Sequence, residues 1–309
     1  MFLSFLFHRD SWHPKYWALG LLLLILWLPA HMPLRWQLAY GRCLGRILYV
    51  CVKKIRYVTR CNIRACFPQL NDHELELAVK QTTKELGISL AETFLVWLRG
   101  LHWLKGRCTY EGREHVDAAI AEGKGVILLS CHFGAVDVGG SLISLAGIEG
   151  AELVGTYRQT DAPINRFLAR VRGVFSDRML AADDQRAVLR ALRNGAAVWY
   201  APDIEVRGKN TCFADFFGVK ASTTLAISKL AKAGKAVVIP AVHYRDEATL
   251  NYTFKFFPPL TDVPSDDAEA DTQIINTAIE TAVKPYPWRY WWVIKRFKKR
   301  PEGETAIYC

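Results

Sequence analysis

The chain has 309 residues, 51% of them apolar, and carries a formal net charge of +10. This length allows one large α/β domain or two smaller units with a substantial core. The eight cysteines form no Cys-x-x-Cys pair and lack the His spacing of a zinc site. This pattern argues against a disulfide scaffold and favours reduced thiols in the cytoplasm.

The positive charge is concentrated near the two ends of the chain. Residues 11–71 contain nine Lys or Arg and residues 289–300 contain six, and neither range contains an Asp or Glu. Because Trp, Tyr and Leu are interleaved with these cations, the ranges suit an anionic membrane surface better than a solvated tail. No helix-turn-helix, zinc-finger or RNP-type pattern accompanies them, so no nucleic-acid partner is expected.

An uninterrupted apolar run occupies residues 16–28 and extends to Leu34 through Pro and His. A full span needs about 20 residues, so the run is borderline, but four Trp bracket it like interfacial aromatics. We predict a membrane-anchoring helix within residues 1–34 that spans or dips into the bilayer. A signal peptide and a buried helix are the alternatives. Since most of the nearby cations follow the run, the remaining chain is expected in the cytoplasm.

A helical segment is predicted over residues 35–107. Its first part, residues 35–60, carries seven cations among Leu, Ile, Tyr and Val, which is typical of a basic amphipathic helix lying on a bilayer. Asn71-x-x-Glu74 reads as a capping box that starts a second helix near Asp72. Helical periodicity continues to about Arg99, with an interruption at Gly87.

The pattern changes over residues 108–309, where short apolar runs alternate with helical stretches. Such alternation predicts an α/β fold with a mostly parallel central sheet flanked by helices. The strand candidates are 126–131, 152–156, 196–201, 236–242 and 250–257. The helix candidates are 114–122, 138–146, 162–171, 184–194, 222–233 and 268–283.

The best candidate for chemistry is His132 with Asp137, at the point where a buried strand ends and a helix begins. Positions i and i+5 lie about 140° apart on a straight helix, so the pair can meet only if the chain bends, which Gly134 permits. We predict His132 as a general base oriented by Asp137. A helix-capping Asp near an unrelated His is the alternative. Cys131 precedes the His but should face away from it, because neighbouring strand residues alternate in direction.

Two further strands end in polar residues. Tyr157 and Arg158 follow one apolar run, and Asp203 follows another. Since the carboxyl ends of parallel strands share one edge, His132, Arg158 and Asp203 are expected to converge on one cleft. Arg158 would serve an anionic group or a developing oxyanion, unless it is only a solvated cation. Asp203 could instead hold a turn or order nearby cations. No third metal ligand is evident, and no metal or cofactor is expected.

These residues carry a family resemblance. His-x4-Asp after an apolar strand resembles the signature of the lysophospholipid acyltransferase superfamily, and the chain is similar to one branch of it: the late (lauroyl or myristoyl) acyltransferases of lipid A biosynthesis in Gram-negative bacteria. Beside the N-terminal apolar segment, the matching stretches are Asn62-Ile-Arg-Ala-Cys-Phe-Pro68, His132 to Asp137, Tyr157-Arg158, Val198-Trp-Tyr-Ala-Pro-Asp203, Phe213-Ala-Asp-Phe-Phe-Gly218, Ala221-Ser-Thr-Thr224 and Trp292-Val-Ile-Lys-Arg-Phe-Lys-Lys-Arg-Pro-Glu302. The chain departs from the branch in having Asp137 where Glu is common and Ile294 where His is usual.

The resemblance implies a glycerolipid acyltransferase-like fold and a specific reaction. A fatty acyl chain would pass from acyl carrier protein to a hydroxyl of a lipid A precursor, in lipopolysaccharide biosynthesis at the cytoplasmic face of the inner membrane. His132 and Asp137 would be catalytic, and Tyr157, Arg158 and Asp203 would bind substrate. Two alternatives stay open: a related enzyme acting on a lysophospholipid, ornithine lipid or phosphatidylinositol mannoside, and a non-catalytic membrane-binding protein with the same fold.

Overall fold

The computed structural model describes residues 17, 27, 29–157, 168–169, 171–205 and 210–308. Within this part of the chain the strands are β1 (Cys108–Glu111), β2 (Val126–Leu129), β3 (Leu153–Tyr157), β4 (Arg178–Ala181), β5 (Ala197–Tyr200), β6 (Thr211–Phe216), β7 (Val219–Thr224), β8 (Val237–Arg245) and β9 (Tyr252–Phe256). The helices are α1 (Leu34–Cys51), α2 (Lys53–Cys66), α3 (Asp72–Arg99), α4 (Glu114–Ala121), α5 (Val136–Ala146), α6 (Gln185–Arg193), α7 (Ala226–Gly234) and α8 (Ala268–Val283).

A seven-stranded sheet in the order β1-β9-β8-β2-β5-β3-β4 forms the centre of the fold. Its neighbouring strands are parallel except for β8 and β9, which are antiparallel. Strands β6 and β7 form a separate antiparallel hairpin. The predicted mostly parallel sheet flanked by helices is therefore confirmed.

The central strands are buried on both faces. Ile127 and Leu129 of β2 pack with residues of α6, α7 and α8 on one side of the sheet. Val126 and Leu128 pack with α3, α4 and α5 on the other side. Because both faces are covered, β2 reads as a continuous apolar run rather than an alternating one, and for this reason the strand was predictable.

The predicted membrane anchor over residues 1–34 lies largely outside the described residues. Among those that are described, no helix is both long enough and apolar enough to cross a bilayer. The basic segment that follows forms two helices, α1 and α2, which are separated at Val52.

The predicted interruption of the next helix at Gly87 is wrong, because α3 continues through this residue. Helix α1 crosses α3 here with its own Gly41 and Gly45 at the contact. A Cβ atom added to Gly87 would lie 2.3 Å from the Gly41 carbonyl oxygen and 2.3 Å from the Gly45 nitrogen. The glycine is therefore required by the close approach of two helix backbones. The predicted capping box at Asn71 and Glu74 is confirmed, with both hydrogen bonds at 2.9 Å.

Candidate active site

His132 lies just beyond the carboxyl end of β2, beside the residues that follow β5. The ring Nδ1 of His132 is 2.8 Å from Asp203 Oδ1, and the backbone N–H of His132 donates to Asp203 Oδ2, also at 2.8 Å. The two strands are parallel neighbours, so their continuations meet at one edge of the sheet. Of the three residues predicted to converge on one cleft, His132 and Asp203 are therefore in direct contact.

The Asp203 carboxylate is almost completely buried, with 1% of its side chain exposed. Burial by itself would raise the pKa of this carboxyl. His132, through the charge of its ring when protonated and through its hydrogen bonds, and Arg296, through its positive charge, outweigh burial and lower the pKa below its ordinary value. Because an ionised carboxylate only accepts hydrogen bonds, Nδ1 of His132 carries the proton. The other ring nitrogen, Nε2, is then free to act as a base.

The segment that carries His132 is fixed by the C-terminal part of the chain. The Trp291 backbone N–H donates to the His132 carbonyl oxygen at 2.9 Å, and the Trp291 indole donates to the Gly134 carbonyl oxygen at 2.8 Å. The Gly134 N–H in turn donates to the Arg289 carbonyl oxygen. Gly134 has φ +56°, a left-handed conformation that favours glycine, so the expected bend after His132 is present.

The carboxylate that is hydrogen-bonded to His132 is thus that of Asp203, whereas Asp137 was the predicted partner. Asp137 lies in the first turn of α5, and its carboxylate accepts from Arg172 Nε at 2.6 Å and from Arg172 Nη2 at 3.4 Å. This two-point geometry is the strong form of an arginine–carboxylate pair. The bend at Gly134 turns the chain into α5, where Asp137 meets Arg172 instead of the imidazole. The sequence around Arg172 gave no signal for this role.

A cavity of about 990 Å³ lies on the α5 side of the sheet, at the edge where His132 is placed. His132, Tyr157 and Arg172 contribute to its wall, and Lys295 lies at the same cavity. Much of the remaining lining is apolar, including Val136, Ile143, Leu153, Leu168, Phe175, Met179, Trp199 and Ile294. The predicted site residue Arg158 lies outside the described residues.

Two other side chains with nucleophilic or metal-binding potential lie near His132, and both are buried. Cys131 is buried, and burial, with a smaller contribution from Asp203, raises the pKa of its thiol well above the ordinary value. His243 is also buried, and burial followed by the charges of Arg289 and Arg245 lowers its pKa to about 3. In the part of the chain that the structure describes, no group of three His, Cys, Asp or Glu side chains could hold a metal ion.

Comparison with known proteins assigns this arrangement to a family. Residues 6–299 match the model for the bacterial lipid A biosynthesis acyltransferase. Among similar proteins from Escherichia coli (strain K12), a lipid A biosynthesis lauroyltransferase is 28% identical over 96% of both chains, and a palmitoleoyltransferase is 28% identical over the whole of both. A myristoyltransferase from the same organism is 26% identical over 98% of this chain and 93% of its own. The chain therefore belongs to the bacterial lipid A biosynthesis acyltransferase family.

Proposed function

We propose that this protein transfers a fatty acyl chain from acyl carrier protein to a hydroxyl of a lipid A precursor. The observation that carries the proposal is the hydrogen bond between His132 and the buried Asp203 carboxylate, at the edge of a cavity with a largely apolar lining. The family supports the reaction type, and the names of the relatives support lipid A as the acceptor.

In this mechanism His132 acts as the general base. Nε2 takes the proton of the acceptor hydroxyl while the hydroxyl oxygen bonds to the thioester carbonyl carbon. The carbon–sulfur bond then breaks, and the departing thiolate takes the proton back from the imidazolium. Asp203 holds the tautomer with the proton on Nδ1 and stabilises the imidazolium that forms. No acyl-enzyme intermediate is required.

Asp137 has a different role in this proposal. Its carboxylate is 6% exposed and fixes the guanidinium of Arg172, which is 22% exposed and lines the cavity. The Nη1 nitrogen of Arg172 has no hydrogen-bond partner among the described residues. We assign Arg172 to an anionic group of a substrate or to the developing oxyanion, the role predicted for Arg158. Tyr157 lines the same cavity, and Tyr157 and Arg158 keep their proposed role in substrate binding.

The outer face of α1 is the proposed membrane contact. It is opposite Gly41 and Gly45, which pack on α3. Trp36, Ile47 and Val50 are 67%, 52% and 65% exposed along this face. The exposed cations Arg35, Arg42 and Arg46 follow the same helical spacing. An interleaved stripe of apolar and basic side chains suits an anionic bilayer, consistent with the cytoplasmic face of the inner membrane. The anchor within residues 1–34 would reinforce this contact.

The experiment is an acyl-transfer assay with purified full-length protein, acyl-loaded acyl carrier protein and a lipid A precursor, followed by mass spectrometry of the product. Wild-type protein should add one acyl chain to the precursor. His132→Ala should abolish the transfer while folding and membrane association persist. Near wild-type turnover of His132→Ala would exclude the general-base role.

The same assay with a lysophospholipid, an ornithine lipid or a phosphatidylinositol mannoside separates the related acceptors. Transfer to one of these and not to the lipid A precursor would replace the proposed acceptor. Absence of transfer to every acceptor would favour a non-catalytic membrane-binding protein.

A further inference from the structure

The apolar part of the cavity is a slot between helix α5 and the sheet. Val136, Gly140 and Ile143 all line it and are spaced at i, i+4 and i+7 along one face of α5. At 1.5 Å per residue this face covers roughly 10 Å. Val136 is near His132 in the chain and Ile143 is buried two turns further along, so the helix wall leads from the reactive edge into the core.

Strand β3 forms the opposite wall, which has a similar depth. Leu153, Gly155 and Tyr157 all line the cavity and, as alternate residues, point to one face of the sheet. At about 3.3 Å per residue they cover roughly 13 Å. The helix and the strand therefore give similar values for the depth of the slot between the His132 edge and the level of Leu153.

A row of paired residues crosses this slot at half its depth. Gly155 is in register with Trp199 of β5 and with Met179 of β4, and Trp199 is in register with Leu128 of β2. His132 is four positions beyond Leu128 in the chain, which places the row at most about 13 Å below the reactive imidazole. Met179 and Trp199 both contribute to the cavity wall at this level.

Gly140 and Gly155 have no side chains, so bulky side chains pack directly against the backbone of both walls at this level. A Cβ atom added to Gly140 would lie 2.4 Å from Trp199 Cζ3 and 2.7 Å from Phe175 Cε2. A Cβ atom added to Gly155 would lie 2.6 Å from Met179 Sδ and 3.2 Å from Met179 Cε. The aromatic rings are rigid, whereas an unbranched thioether is easily displaced. At this level of the slot, Met179 is therefore the side chain that can most easily change its position.

We propose that Met179, packed on Gly155, sets the length of the acyl chain that the slot accepts. This inference rests on the proposed function, because the slot is taken to hold the acyl chain of the donor. Removing the Met179 side chain would open the slot beside β4. Adding a methyl group at Gly155 would push the thioether away from the strand and into the slot.

The test compares Met179→Ala and Gly155→Ala with wild type in competition between acyl carrier proteins that carry chains of 10, 12, 14 and 16 carbons. Met179→Ala should shift the ratio of kcat/KM values towards the longer chains by roughly tenfold for each pair of methylenes. Gly155→Ala should shift the ratio in the opposite direction. The matched control is Leu180→Ala, because Leu180 is on the same strand but packs on the opposite face of the sheet.

A direct binding measurement tests the role of Met179 independently of acyl transfer. The affinity of wild type and Met179→Ala for free fatty acids of the same lengths is measured by displacement of a fluorescent fatty acid. If the fatty acid that Met179→Ala binds most tightly is longer than the one that wild type binds most tightly, the slot assignment is supported, even if acyl transfer fails. In that case only the proposed function would be rejected. If a folded Met179→Ala variant keeps the wild-type preference for chain length in either assay, Met179 does not set the chain length.

Discussion

The Asp203 carboxylate binds His132 at two points, because one oxygen meets the ring Nδ1 and the other accepts from the backbone N–H, each at 2.8 Å. A single buried carboxylate therefore fixes both the tautomer of the imidazole and the position of the chain that carries it. Trp291 holds the same segment from the other side through its backbone N–H and its indole. The imidazole is preorganised before any substrate binds, which is what general-base catalysis needs.

The first prediction concerns Asp203→Asn. The amide keeps the shape of the side chain but removes the negative charge that fixes the Nδ1 proton and stabilises the imidazolium. We expect kcat to fall by about 10³–10⁴-fold, as when the carboxylate of a catalytic triad is made neutral. KM should change little, since Asp203 is buried behind His132. Steady-state kinetics together with a thermal melt measure this effect, and a folded variant with unchanged kcat would remove Asp203 from the mechanism.

The second prediction separates the two carboxylates by a double-mutant cycle. Asp137→Asn and Arg172→Gln should each lower kcat/KM, and the double variant should be little worse than Arg172→Gln alone, because Asp137 acts through Arg172. Asp137→Asn combined with Asp203→Asn should instead show nearly additive losses. Additive losses for Asp137 and Arg172 would show that Asp137 does not act through Arg172, and strong coupling between Asp137 and Asp203 would restore Asp137 as a partner of His132.

The sheet was largely predictable because the apolar runs of β2, β3, β5, β8 and β9 come from its interior and are bounded by turn residues. Strands β1 and β4 were missed because they are four-residue edge strands that mix polar and apolar side chains. The β6–β7 hairpin was also missed, and its second strand was predicted as the start of a helix over 222–233. The structure begins that helix only at Ala226, after Thr224 has ended β7.

The site was predictable in its location but not in its pairing. Strand ends placed His132 and Asp203 at one edge, since the carboxyl ends of parallel strands meet there. The nearness of Asp137 in sequence favoured it as the partner of His132, yet proximity in sequence does not decide which carboxylate reaches the imidazole. Arg172 follows no strand, and its contact with Asp137 depends on tertiary packing that spacing does not report.

The third prediction tests the outer face of α1 as a membrane contact. Arg42→Glu with Arg46→Glu should weaken binding to vesicles that contain anionic phospholipid by at least tenfold, because each cation near such a surface contributes about 1 kcal/mol. Flotation or sedimentation with vesicles measures the binding. The matched control is Arg186→Glu with Arg190→Glu on α6, which changes the net charge equally at exposed positions away from α1.

Binding to neutral vesicles should be the same for both double variants, and added salt should reduce the difference between them on anionic vesicles. Equal binding of the α1 and α6 variants to anionic vesicles would show that α1 does not face the bilayer.

The fourth prediction concerns His243, which packs against Gly134 and Gly139, just beyond His132 in the chain. A Cβ atom added to Gly134 would lie 3.2 Å from His243 Nε2, and one added to Gly139 would lie 2.9 Å from Nδ1. The pKa of His243 in the folded protein is about 3, whereas a histidine in an unfolded chain has a pKa of about 6.5. Between these values the unfolded state binds more protons, so the free energy of unfolding must rise with pH across this window.

The contribution of neutral His243 to stability is therefore complete above about pH 6.5 and is lost progressively as the pH falls towards 3. Between pH 7 and pH 5.5 wild type should lose about 1 kcal/mol of unfolding free energy more than His243→Gln does. Urea denaturation followed by tryptophan fluorescence at the two pH values measures this difference. The exposed His73 provides the control, and His73→Gln should keep the wild-type pH dependence. Equal pH dependence in wild type and His243→Gln would show that His243 takes up its proton without unfolding, and that its burial does not oppose its charge.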